Sequence, residues 1–325
     1  MSIIIKAITE LGGLVAPGWG GPRLSVLIFH RVAETVDPLV PGIPTRAAFR
    51  YKMELLRDNF KVMPLTEGVR RLAEGSLPSR ALSITFDDGY RDNVTTVLPV
   101  LRSVGIPATF FVASGYLNGG RMWNDDVIEI IRQTKAESFS LPELGIGPIS
   151  LRDLPARRTA IDTVIERLKE ADPALRQEAL HELARESQCR LPDDLMMTDD
   201  DVRTLHEAGM EIGCHTRTHP ILTRIPLEVG EAEITGSRAD LERIINAPVR
   251  LFAFPNGIPG YDYDARHVDL VRRLGFEAAF STAWGVSTSG SDRYQLPRFT
   301  PWDDSPLAFT ARLILSRRQT RYAVS

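Results

Sequence analysis

Short apolar runs alternate with amphipathic stretches along most of the chain. Residues 24–29, Leu-Ser-Val-Leu-Ile-Phe, carry β-branched and aromatic side chains without helical spacing and read as a buried strand. Residues 47–59 put Phe49, Met53, Leu55 and Leu56 on one stripe, which predicts a helix. Residues 66–74 predict a second helix, with Thr66 as its cap. Ala81 to Phe86 reads as a buried strand, 94–104 as a helix ended by Gly105 and Pro107, and 108–112 as another strand. Strands return at 211–214, 251–254 and 278–281, with helices at 199–208, 227–245 and 264–274 between them. Such alternation predicts a parallel sheet or barrel wrapped by helices.

The pattern breaks after Gly119-Gly120. Residues 121–200 read as almost entirely helical and polar, with helices at 124–134, 155–171 and 173–189. The expected organisation is one α/β domain interrupted once: 1–120 and 201–325 form its two parts, and 121–200 is a helical insertion. No internal repeat or low-complexity segment is present.

With 325 residues, 43% hydrophobic and 25% charged, the chain has the composition of a soluble globular protein with a sizeable core. A net charge of −3 gives no basic stripe for nucleic acid. Two cysteines, Cys189 and Cys214, cannot build a disulfide framework, which fits a reducing compartment. Cys214 is expected to be a small buried side chain. The segment Met1 to Lys6 lacks the pattern of a signal peptide, and no run approaches the ~18 apolar residues of a membrane span. A cytoplasmic location is therefore expected. Weak amphipathic character over 3–15, and basic residues Arg312, Arg317, Arg318 and Arg321, leave room for peripheral membrane contact. Two ordinary terminal helices are the plainer expectation.

Two runs carry chemistry. Thr85-Phe86-Asp87-Asp88-Gly89-Tyr90 puts adjacent carboxylates at a strand end, and His215-Thr216-Arg217-Thr218-His219 puts two imidazoles four residues apart after another strand. Together they offer one carboxylate and two imidazoles to a divalent ion, with one carboxylate to spare. Such a set leaves coordination positions open, as a catalytic site requires. If Asp88 is the ligand, Asp87 is free to act as general base. Zinc, cobalt, nickel and manganese all suit these ligands. His30 after the first strand, Pro255-Asn256-Gly257 after another and Trp284 beyond Ser281 fall at the same sheet end, where active sites of parallel α/β folds gather.

These motifs resemble the polysaccharide deacetylases, the NodB-homology or carbohydrate esterase family 4 group, over about 80–115 and 200–300. The resemblance implies a distorted (β/α) barrel of seven strands, a divalent metal and a carbohydrate substrate. It implies Asp87 as base, Asp88, His215 and His219 as metal ligands, Thr216 as a loop brace, and the Asn256 backbone N–H as oxyanion donor. The arginine that commonly holds the base is missing from its usual motif; Arg298 and Arg31 are candidate replacements. The late histidine that usually supplies the general acid is also absent, and His30 is the candidate substitute. Tyr90, Asn256, Trp284 and Arg298 are the candidate substrate contacts.

Each of these residues also has a plainer reading. Asp87 and Asp88 could cap a helix, His30 could order its own loop, and Trp123 and Trp284 could be packing residues. Asp125 and Asp126 read as favourable charges at a helix start, with a substrate contact from that helix as the alternative, since the insertion leaves the barrel at its catalytic end and residues 123–126 are expected to border the site mouth. His181, His206 and His267 fall in helical stretches and receive no role. The expected function is hydrolytic removal of acetyl from an N-acetylated sugar. Alternatives are hydrolysis of another amide or ester on the same barrel, and a non-catalytic carbohydrate-binding protein.

Overall fold

A computed structural model describes residues 22–142, 145–300 and 305–316. Every residue of Ser25–Phe29 (β1) is buried, as a parallel strand covered on both faces must be. Helix α1 spans Arg46–Asn59, starts at Thr45, whose Oγ1 accepts from the Ala48 N–H, and buries the expected stripe of Phe49, Met53, Leu55 and Leu56. A two-residue strand, Lys61–Val62 (β2), precedes α2, Leu65–Ala73. Thr66 is not the cap of α2. Pro64 holds that position, and the Glu211 carboxylate accepts from the Leu65 and Thr66 N–H groups instead. Strand β3 is Ala81–Phe86, buried throughout. Helix α3, Leu98–Val104, follows a wider π-type turn over Asn93–Val97. Pro99 has no N–H to give and its ring crowds the preceding turn, which accounts for the widening. Strand β4 is Thr109–Val112.

The segment 121–200 contains α4 (Trp123–Gln133), the antiparallel pair β5 (Ser138–Leu141) and β6 (Ile146–Ser150), α5 (Leu154–Glu170) and α6 (Pro173–Glu186). The expectation of an almost entirely helical segment is thus corrected. Ser138-Phe139-Ser140-Leu141 alternates with period two, a strand signal too short to stand out among long helical stretches. Val127, Ile131, Leu151, Ile161, Leu168 and Leu180 give this segment a hydrophobic core of its own.

The chain then supplies α7 (Asp199–Glu207), β7 (Glu211–Cys214), α8 (Leu227–Ile245), β8 (Leu251–Ala253), α9 (Ala265–Arg273), β9 (Ala278–Phe280) and α10 (Pro306–Ser316). Seven strands form one sheet in the order β1-β3-β4-β7-β8-β9, with β2 beside β3, and every pairing is parallel. The sheet is curled like part of a barrel, with helices packed around it. Leu296 pairs with Phe280 of β9 and Phe299 pairs with Leu27 of β1, so residues 296–299 tie the last strand to the first. That short link escapes sequence reading, yet it aims Arg298 into the site. Among the described residues no helix is long and apolar enough to cross a membrane. The stretch 3–15, Arg317, Arg318 and Arg321 lie outside the described residues.

Candidate active site

At the end of β3 the Asp87 N–H continues the ladder by donating to the Phe29 carbonyl, 2.9 Å away. The chain then turns sharply: Asp88 has φ +77° and Gly89 φ +93°. A Cβ on Gly89 would stand 2.9 Å from a Val112 methyl, so glycine is required twice over. The turn swings both carboxylates into one pocket, although neighbouring residues on a strand face apart.

Asp87 is 2% exposed, and both its oxygens accept from Arg298, at 2.6 and 2.7 Å. Arg298 is fully buried, and its Nε donates to the Ser281 carbonyl at 3.1 Å. Burial works against ionisation of Asp87, but Arg298 and then His215 outweigh it and hold the carboxyl below the usual range. The candidate replacements for the missing arginine are now separated. Arg298 holds Asp87, the candidate base, whereas Arg31 pairs with Asp92 at 2.9 Å. Arg298 is therefore not a substrate contact as expected: no part of it reaches the surface.

At the end of β7 the chain again enters unusual backbone conformations, with φ +64° at Thr216 and +54° at His219. Such conformations in non-glycine residues persist where the surroundings impose them. Thr216 Oγ1 accepts from the His219 N–H at 3.0 Å, the bracing role expected of it. Glu233 on α8 accepts from the N–H groups of Arg217 and Thr218, at 2.9 and 2.7 Å. Arg217 in turn pairs with Asp240, which also accepts from Ser114. These carboxylates fasten the loop from below, and the sequence gave no sign of them.

The fastened loop brings two imidazoles onto Asp88. Asp88 Oδ1 lies 3.6 Å from His215 Nε2 and 3.5 Å from His219 Nε2. Those separations are too long for hydrogen bonds, and Oδ1 is buried without a partner. They suit ligand atoms that share one ion at ~2 Å each. His215 Nδ1 faces the Ala253 carbonyl at 2.8 Å; a carbonyl only accepts, so Nδ1 carries a proton and Nε2 is the atom left for an ion, which must displace the second proton that Asp87 and Asp88 favour there. Burial pushes His219 down to about 4, so it is neutral at physiological pH, as a ligand must be. Burial disfavours the Asp88 carboxylate, yet the neighbouring imidazoles outweigh that and hold it ionised. The donor set fits a divalent cation. Cys214 is fully buried, and its Sγ is directed at the Ile234 carbonyl, so it stays outside this set.

A cavity of about 740 Å³ opens beside Asp88, with His30, Arg31, Tyr90 and Asp125 in its wall. His30 is exposed there, and its carbonyl is held by Asn93 at 2.9 Å. The buried Tyr90 hydroxyl donates to Asp125 Oδ1 at 3.3 Å, and the Arg31 guanidinium lies over the Tyr90 ring at 4.6 Å. Burial pushes Asp125 up to about 7 against the pull of Arg31, and its Oδ2 has no partner. Asp125 stands at the start of α4, as expected, and with Asn124 it lines the cavity beside Asp88, so the first part of the 121–200 segment borders the site as the topology predicts.

Asn256 stands in a turn with φ +57°, its carbonyl held by Thr282 Oγ1 at 2.6 Å. Trp284 does not line the cavity; it packs on Phe299, ring centroids 4.9 Å apart, with Arg312 5.8 Å from its ring. The expected substrate contact from Trp284 is thereby replaced by a packing role. Trp123 also packs, against the Arg176 guanidinium at 4.5 Å. His267 caps α9 with Asp264 and reaches the Leu222 carbonyl, and His181 faces Gln177.

Residues 74–148 and 149–279 match the family model described as polysaccharide deacetylase. Over 92 residues the chain is 33% identical to YxkH of Bacillus subtilis (strain 168), which bears the same family name; that match spans 28% of this chain and 32% of the relative. Among solved structures, the Streptococcus pyogenes deacetylase PplD in complex with acetate aligns with a TM-score of 0.58 at 17% identity, over 86% of this chain and 92% of that one. IcaB from Ammonifex degensii aligns at 0.57 and 18% identity, over 90% and 97%. At such identities the structural matches speak for the fold.

Proposed function

The chain belongs to the polysaccharide deacetylase family, and from that premise we propose that it is a metal-dependent hydrolase that removes acetyl from an N-acetylated sugar. The observation that carries this reading is the unpartnered, buried Asp88 Oδ1 between two imidazole nitrogens, beside a carboxylate locked by Arg298. A divalent ion held by Asp88, His215 and His219 would supply Lewis acidity toward the amide carbonyl and acidify a water. Asp87 accepts that water's proton as it attacks the carbonyl carbon. Arg298 keeps the base ionised and fixes both its oxygens, so its approach does not wander. The Asn256 N–H steadies the negative charge that grows on the carbonyl oxygen. His30, at the solvent side of the cavity, donates a proton to the departing amine. Tyr90, Arg31 and Asp125 form a polar wall that orients the sugar.

A non-catalytic carbohydrate-binding role drew its support from the missing base-holding arginine and the missing late histidine; the Arg298–Asp87 pair speaks against the first of these grounds. Acetate release from a panel of N-acetylated mono- and oligosaccharides, alongside O-acetyl and N-formyl analogues, tests the reading. Release from N-acetyl substrates supports it. Turnover confined to esters or to another acyl group would replace it.

A further inference from the structure

The cavity beside Asp88 is mainly apolar away from its catalytic end. There its wall is made by Val40, Ile43, Ala48, Leu55, Ile128 and Phe309, with Thr45, Thr300 and Lys52, whose ammonium lies 5.8 Å from the Phe309 ring, as the polar exceptions. Ala48, Tyr51, Lys52 and Leu55 lie on one face of α1 at helical spacing, so this wall extends for about 10 Å along the helix. Two large apolar side chains stay open to solvent at the cavity, Val36 at 62% and Tyr51 at 41% exposure. Such a wall offers sugar hydroxyls few partners, and hydroxyls buried there would bind poorly. A volume of about 740 Å³ is room for a ligand larger than one polar ring.

Resting on the deacetylase reading, we propose that the substrate is amphipathic: an N-acetylated sugar carrying a long alkyl or isoprenoid aglycone. The sugar presents its acetamido group at Asp88, and the chain lies along α1 between the 36–45 loop, Ile128 of α4 and Phe309 of α10. Continuity of the apolar wall with the catalytic end assigns the wall to the substrate's own tail rather than to a separate ligand.

Calorimetric binding of the methyl, hexyl and octyl glycosides of N-acetylglucosamine to the zinc-loaded full chain tests this, each kept below its micelle concentration. Each methylene taken out of water is worth at most about fourfold in affinity. Kd is expected to fall at least tenfold from methyl to octyl. Ala48→Trp, which fills the cavity from an exposed helix position, and Ile43→Asp in the loop should each flatten that series. A wild-type series with equal Kd values, or an octyl gain untouched in both variants, overturns the proposal. Acetate release, measured in parallel, keeps the two readings apart. Release without chain-length dependence overturns only the amphipathic substrate, and chain-length-dependent binding without release upholds the tail site and overturns the deacetylase reading.

Discussion

Arg298 closes two hydrogen bonds on the Asp87 carboxylate, at 2.6 and 2.7 Å, across 211 residues of sequence and with neither side chain open to solvent. The pair is bidentate and charge-assisted, the strongest kind of side-chain contact for fixing a planar carboxylate. It depends on the link at residues 296–299 between β9 and β1.

Arg298→Lys keeps the charge and loses the fork. Misplacing the base should lower kcat/KM by about a hundredfold. It should also shift the acid limb of the pH profile upward. Arg298 holds Asp87 below the usual carboxylate range against burial, so weakening the pair lets burial raise it, and the base becomes protonated at higher pH. Arg298→Met, which strands a buried carboxylate, should cost about 3–5 kcal/mol in urea unfolding. An unmoved acid limb in Arg298→Lys would show that the pair is structural only.

His215→Ala should lose the bound ion. Metal analysis of purified protein should give one divalent ion per wild-type chain and far less in the variant. Adding zinc at 100 times its Kd should stabilise the wild type by about 2.7 kcal/mol and leave the variant unchanged. Equal metal content in both would remove His215 from the ligand set.

The contribution of Asp125 to stability falls with rising pH. Burial pushes its folded-state pKa up to about 7, whereas the unfolded carboxyl titrates near ~4. Between those values the folded state binds this proton more tightly, so the contribution of Asp125 to stability is fully present below about pH 4 and is lost as pH rises through about 7. In metal-free protein Asp125→Asn should raise Tm at pH 8 by at least ~2 °C and change it little at pH 4.5. Identical Tm differences at the two pH values would show that Asp125 does not titrate between them in the folded protein.

The same residue helps to isolate the general acid. An imidazole that must be protonated to donate loses activity as pH rises. His30→Gln should therefore lose the alkaline limb of the kcat/KM bell and lower the rate, with metal content intact. Asp125→Asn should keep that limb. If the limb disappears with Asp125 instead, the buried carboxyl is the proton donor and His30 only shapes the cavity mouth.

The strands were legible because buried parallel strands are continuous apolar runs, and β1, β3, β4, β7, β8 and β9 all fall where such runs lie. The candidate metal ligands were legible because both motifs follow a strand directly, so local sequence and spatial position coincide. The partner of Asp87 could only be narrowed to two arginines. Arg31 sits nearer to it in sequence, and only the closing pairs Phe280–Leu296 and Leu27–Phe299 decide for Arg298. The packing role of Trp284 and the inward turn of Asp125 escaped for a related reason. An exposed-looking tryptophan packs on Phe299, and a helix-start carboxylate turns inward to Tyr90, through contacts made far along the chain. The β5–β6 pair was missed because strands of four and five residues carry too few alternations to outweigh flanking helical patterns.

The most direct test of the metal-and-base assignment is acetate release by Asp87→Asn, with bound metal measured on the same sample. The swap keeps the side chain's shape and removes the proton acceptor. The expected result is one divalent ion per chain, as in the wild type, with acetate release lowered by about a hundredfold to ten-thousandfold. Near-wild-type release from fully metal-loaded Asp87→Asn would contradict the assignment, because another group would then be taking the proton.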